Sequence, residues 1–274
     1  MTEILVIASK IYTGDRVLKG GYIYVKDGMI ESLGEGPVPE DLTFAALILG
    51  GEGRVVAPGL ALAADVAAYP IRHLKPAPAR KRELYRSLGL EASFTSALPA
   101  VYELHVHGVT TIFVEYENPE LATKLSETVG GSYGVAMNSC WDFRTLETLR
   151  GLSGAITAGA CGGPPMLESP PVYTPAVFEM PWKVSEEVRK AAGMEAGGIR
   201  EGVRAELAVF NFSRPPGMLL DRHDIDLNTL YKLGLRVESL IVGDEVLVDG
   251  GEHLYIVDKH FSEARKLAER IAGV

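Results

Sequence analysis

Five polar residues stand where this chain could do chemistry: Asp65, Glu115 and Asn138, with Cys140 and Asp142 just beyond. The first three each follow an apolar run, 60–64, 109–114 and 133–137. In parallel α/β folds, functional groups gather at the C-terminal ends of strands. The five therefore outline a candidate pocket for a small-molecule ligand. Asp65 and Glu115 are the candidate catalytic pair, because two carboxylates facing one site can divide acid and base work. Polar residues also simply mark strand ends, and that reading stands beside the functional one.

Other constellations point to less. His105-Val106-His107 has the letters of a paired metal ligand. On a helix the two side chains point about 200° apart and cannot close on one ion. The stretch 95–107 reads as helical with Gly108 as its C′ residue, which leaves His107 near the negative end of the helix dipole, where a cation is favoured. His223 lies in Asp221-Arg-His-Asp224-Ile-Asp226, a cluster that reads either as a cation site or as a solvated loop. Cys161, in Ala-Cys-Gly-Gly, has no sequence-linked histidine base and reads as a small buried side chain. Gly162-Gly163 lacks the spacing of a phosphate loop. No Cys or His spacing matches a structural zinc site, so no metal and no other cofactor is expected.

These residues need elements to position them. Residues 1–57 read as short strands punctuated by glycine, with Asp27-Gly28 as a hairpin turn and a Gly/Pro loop over 34–41. A second strand-rich block covers 198–258. Two such blocks flanking α/β material predict one composite β-sandwich built from both chain ends. Between them, 59–197 reads as βα units. One helix should start at Asn118-Pro119-Glu120 and end near Gly130-Gly131. A C-terminal helix over 259–274 is expected, with Ser262 as N-cap and an apolar stripe of Ala264, Leu267, Ala268 and Ile271.

Composition sets the outer bounds. The chain has 274 residues, 47% of them apolar and 23% charged, enough for a sizeable core. A net charge of −9 argues against nucleic acid as a partner. No apolar run approaches membrane-spanning length. The start of the chain lacks the long apolar core of a signal peptide, and two cysteines do not make a disulfide framework. The expectation is a cytoplasmic protein with reduced thiols.

The run Val55-Val-Ala-Pro58-Gly59-Leu60-Ala-Leu-Ala-Ala64-Asp65-Val66 resembles the first barrel strand of the amidohydrolase superfamily, where a Pro-Gly-Leu turn leads to a metal-binding His-x-His. Ala64 and Val66 occupy the two histidine places, and neither can ligate a metal. Other stretches resemble the same family in order: 4–31 its opening strands, 108–111 its second barrel strand, and 133–138 its third. Further on, 154–165 resembles its last barrel strand, and 177–193 the helix that follows in dihydroorotase-like members. Gly198–Phe210 resembles its return strand and Val237–Gly250 its closing hairpin. The resemblance puts Gly159 where the family has its aspartate base. It implies a β/α barrel, yet the 140 residues from 58 to 197 fall short of the roughly 250 a full barrel needs. The expected fold class is therefore α/β, a truncated barrel beside the composite sandwich, without the central strands that carry the family's bridging Lys or Glu and two further metal histidines.

Two readings of function follow. One is a degenerate homologue, a pseudoenzyme without metal-dependent catalysis that acts in binding, regulation or assembly. The other is an active hydrolase of non-peptide carbon–nitrogen bonds, on a small cyclic amide or amidine, with a rearranged site. An open sheet also leaves edges to cover. A two-fold homo-oligomer is the expected cover, and loops from the Pro-rich stretches 70–78 and 164–181 are the rival. Light scattering at high concentration should return about twice the 29.5 kDa chain mass, and a monomer mass would refute the oligomer.

Overall fold

The computed structural model describes residues 2–71, 87–115, 119–137, 142–145 and 173–272. The N-terminal strands are β1 (Glu3–Tyr12), β2 (Val17–Lys26), β3 (Met29–Glu35) and β4 (Leu47–Pro58). The C-terminal strands are β9 (Glu206–Asn211), β10 (Ser239–Val242), β11 (Glu245–Asp249) and β12 (Glu252–His253). All eight form one sheet in the order β12-β11-β10-β9-β4-β1-β2-β3. The seam between the chain ends is the antiparallel β4–β9 pair, with Val56 opposite Val209. The Asp27-Gly28 turn joins β2 to β3 with φ of 48° and 80°, the double positive φ of a type I′ hairpin.

The composite sandwich is one sheet that bends back on itself. Just ahead of β9, Arg204 bridges Met29, the first residue of β3. Ile30 N–H donates to the Val203 carbonyl at 2.8 Å, and Ala205 N–H to that of Gly28 at 2.9 Å. In strand order β9 and β3 are four places apart, so this contact requires curling. Alternation then sorts side chains into two cores. On β4, Val56 faces the inside of the curl with Leu207, Val209 and Ile241. Val55 and Ala57 face the other way, with Ala208, Phe210 and Leu240, against the α/β layer.

That layer holds a second sheet, β5 (Leu60–Ala64), β6 (Val109–Glu115), β7 (Ser132–Met137) and β8 (Asp142–Thr145), in sequence order. The first three are parallel and β8 runs antiparallel to β7. Every residue of β5 is buried, as are residues 109–114 of β6. Such uniform burial is what helices and sheets on both faces impose. Among the described residues this sheet is open, a partial barrel. Its helices are α1 (Leu90–Val106), α2 (Pro119–Val129), α3 (Pro181–Ala191), α4 (Leu227–Lys232) and α5 (Asp258–Ala272). Helix α1 ends before Gly108, whose φ of 86° makes it the C′ residue expected. Helix α5 begins at Asp258, so Ser262 is not its N-cap; it lies one turn in, bonding the Asp258 carbonyl at 3.1 Å.

Helix α3 covers the open side of β5. Its buried stripe is Pro181, Val184, Ser185, Val188 and Arg189, the spacing of one helical face. Two members of that stripe are polar. Ser185 Oγ accepts the N–H of Ala61 at 2.8 Å, filling a ladder position that the edge of β5 would leave empty. One turn on, Arg189 Nη2 donates to the Gly59 carbonyl at 3.2 Å and pairs with Glu206 of β9. Glu206 also accepts from Thr110 at 3.2 Å and Thr111 at 3.3 Å, both on β6. One buried ion pair thus joins α3, β6, β9 and the Pro58-Gly59 crossing between the sheets. Removing one partner strands the other charge in a desolvated place. Arg189→Met should cost about 3–5 kcal/mol in urea unfolding, and adding Glu206→Met should recover part of that loss.

Candidate functional site

The strand register brings the candidate residues to one end of the open sheet. Ala64 pairs Val114, Glu115 pairs Ala136, and Met137 pairs Asp142. Asp65 and Glu115 therefore follow one another across adjacent strand ends, with Asp142 at the end of β7. Asn138 and Cys140 lie outside the described residues, as do Cys161, Gly159 and His73.

Ala64 and Val66 are 0% and 1% exposed. They are packed in the core, with Ala63 and Ala67 beside them. Asp65 between them is also buried, and Tyr173 accounts for part of that. The Tyr173 hydroxyl donates to the Asp65 carboxylate at 2.9 Å and lies 3.1 Å from the Asp65 carbonyl. Tyr173 N–H donates to Glu103 Oε2 at 2.6 Å, and the Tyr69 hydroxyl to Glu103 Oε1 at 3.1 Å. The two tyrosine rings sit 5.8 Å apart. The strand end is thus a buried hydrogen-bonded cluster. Among the described residues, no group of three or more His, Cys, Asp or Glu side chains could hold a metal ion.

The histidine pattern at the end of α1 divides as helix geometry requires. His107 Nδ1 lies 2.6 Å from the Glu103 carbonyl. Burial pushes its pKa down despite that bond, which raises it. His105 is fully buried on the other side, its Nδ1 2.9 Å from His253 Nε2. His253 Nδ1 accepts the N–H groups of Tyr255 and Ile256, each at 3.1 Å. That nitrogen carries no proton, so His253 donates through Nε2, and His105 carries its own proton on Nε2. The pair fastens α1 to β12 as neutral imidazoles. The polar cluster around His223 is also structural. Lys10, itself buried, donates to the His223 carbonyl at 2.8 Å and reaches Asp224 at 3.5 Å. Asp226 caps α4 through Thr229 N–H at 2.8 Å. The cation of this cluster is the chain's own lysine.

Sequence reading passed over Tyr173, Glu103, Ser185, Arg189 and Glu206. For Ser185 and Arg189 a signal existed: polar residues four apart inside the Val184/Val188 stripe face the core together. Nothing local marks Tyr173, which acts across more than a hundred residues.

The histidine pair gives the fold a pH dependence. Burial pushes His105 well down and His253 down to about 4, from a usual 6.5. The unfolded chain takes up protons below pH 6.5 while the folded pair does not, so stability is full above that pH and falls as pH drops toward 4. For His253 alone the loss between pH 6.5 and about pH 5 should be on the order of 2 kcal/mol. Urea titrations across that range should show it, and His105→Leu with His253→Leu should flatten the curve there.

No protein-family description matches the chain, and no curated protein matches it in sequence. Solved structures do match. An adenosine deaminase from Xanthomonas campestris with bound zinc superposes with a TM-score of 0.77 at 12% identity, covering 100% of this chain and 99% of that one. A triazine hydrolase from Arthrobacter aurescens gives 0.72 at 11% identity, covering 98% and 100%. A mutant atrazine chlorohydrolase from Arthrobacter aurescens, complexed with zinc and atraton, gives 0.72 at 12%, covering 97% and 100%. Likeness at this identity concerns the path of the backbone. The chain has the amidohydrolase-like fold, with a parallel sheet that is not closed among its described residues.

Proposed function

We propose that this protein is a degenerate member of the amidohydrolase-like fold that performs no metal-dependent hydrolysis and acts by binding. One observation carries the reading: Ala64 and Val66 end β5 as buried apolar side chains, where the resemblance calls for two metal ligands. Metal hydrolases depend on an ion to lower the pKa of bound water, and the residues here do not fit such an ion. Asp65, the one carboxylate at that place, is occupied by Tyr173. The strand-end group of Asp65, Glu115, Asn138, Cys140 and Asp142 remains the proposed pocket on this side, as a place to hold a small molecule.

The rival is an active hydrolase of a small cyclic amide or amidine that uses Asp65 and Glu115 as its acid/base pair. The two part cleanly in one experiment. Protein purified from zinc-supplemented culture should carry well under one zinc per chain by elemental analysis. It should also leave dihydroorotate and a triazine unhydrolysed. One zinc per chain, or turnover abolished by Asp65→Asn, would establish the rival.

A further inference from the structure

The C-terminal segment, β12 and α5, is held by few contacts. Between Glu252 and Ile271 four residues are buried: His253, Ile256, Ala264 and Leu267. Strand β12 is two residues long and pairs β11 at the edge of the sheet. The ion pairs Lys259–Glu263 and Arg265–Glu269 both lie within α5. Helix α5 meets α1 through Phe261, edge-on to Tyr102 with ring centroids 5.0 Å apart. Beside that contact lies a cavity of about 450 Å³, whose walls include Pro99, Tyr102, Ala264 and Ala268. Among the described residues, one side-chain hydrogen bond ties this segment to the rest of the chain, His253 to His105 at 2.9 Å. We propose that this pair is an acid-sensitive latch: in mild acid the segment 252–272 detaches from α1 while the seam of β4 and β9 stays closed.

The argument is an inventory of lone pairs. A neutral imidazole has one acceptor nitrogen. In His253 it is Nδ1, taken by the N–H groups of Tyr255 and Ile256. In His105 it is Nδ1 as well, taken by His253 Nε2. A proton can join neither ring without displacing a hydrogen bond. The charge formed would also be buried, since His105 is 0% and His253 4% exposed. Two such cations would stack with ring centroids 5.2 Å apart.

The groups around the pair supply no counter-charge. Tyr133 of β7 faces the His105 ring, and Tyr102 of α1 and Tyr255 face that of His253, each at 6.2 Å. His260 of α5 opposes a further positive charge on His253. Glu245 of β11 accepts the Gly131 N–H at 3.4 Å instead. Arg236 lies over Tyr102, and Glu252 is exposed. Detachment gives His253 to water, where its pKa returns toward 6.5 from the value of about 4 that burial imposes. The closed state is therefore favoured in full above pH 6.5 and loses ground as pH falls toward 4. For His253 alone, opening should become roughly thirtyfold more frequent by pH 5. Local opening of a weakly held segment needs no global unfolding.

Hydrogen exchange of the full chain at pH 7 and pH 5, read by mass spectrometry and corrected for intrinsic rates, tests the latch. Amides of 262–270 should lose roughly thirtyfold in protection, while those of β4 and β9 remain the better protected at both pH values. His105→Leu with His253→Leu should remove most of that fall. Should this variant not fold, nitrogen-15 shifts of the wild-type histidines at pH 7 decide instead, and His253 should carry its proton on Nε2. Unchanged protection of 262–270 between the two pH values overturns the proposal. So does protection there equal to that of β4 and β9 at pH 5, an undiminished fall in the folded variant, or a proton on His253 Nδ1.

Discussion

The molecule depends on one largely buried ion pair, the carboxylate of Glu206 with the guanidinium of Arg189. Glu206 stands on the strand that joins the two chain ends, and it faces the layer that the curled sheet must pack against. A lone carboxylate there would be expensive. Arg189 and two threonines make it tolerable, and in doing so they fix where α3 and β6 lie relative to β9. The apolar faces of β4 and β9 could slide over the α/β layer with little change in buried area. The ion pair admits one position. Specificity of arrangement is the better-supported use of such pairs, since well-packed apolar replacements are often as stable.

That joint also explains how a partial barrel can persist. A closed barrel has no edges, and among the described residues this sheet has two. On the β5 side the edge is met within the chain, by Ser185 at the Ala61 N–H, on the same helix that Arg189 anchors. The exposed side of β5 is therefore covered from within the chain. The end of β5 is filled, Ala64 and Val66 by packing and Asp65 by the Tyr173 hydroxyl. No helix among the described residues is long and apolar enough to cross a membrane.

The outline of this fold was legible in the sequence because its carriers are local. Asp27-Gly28 sets a hairpin by backbone sterics, Gly108 ends a helix, and the apolar run 109–114 announces a strand buried on both faces. Shared strand blocks at both ends foretold that they would pair, although not that a single sheet would curl. The start of α5 was misjudged by one turn, since the helix begins at Asp258 and Ser262 lies inside it, bonding back to the Asp258 carbonyl. The site was harder to read. Tyr173 on Asp65, Glu103 on Tyr173 and Glu206 on Thr110 and Thr111 all join residues far apart in sequence. Periodicity carries no trace of such pairs. Arg189 was the exception, visible as a charge inside an apolar stripe.

The central claim is that the end of β5 has become packed interior. Anomalous diffraction at the zinc absorption edge, from crystals grown with excess zinc, tests it most directly. The account predicts no anomalous peak within about 2.0–2.3 Å, the zinc–ligand distance, of Asp65 or Glu115. A fully occupied peak there, with Asp65 turned away from Tyr173 to coordinate it, would contradict the account.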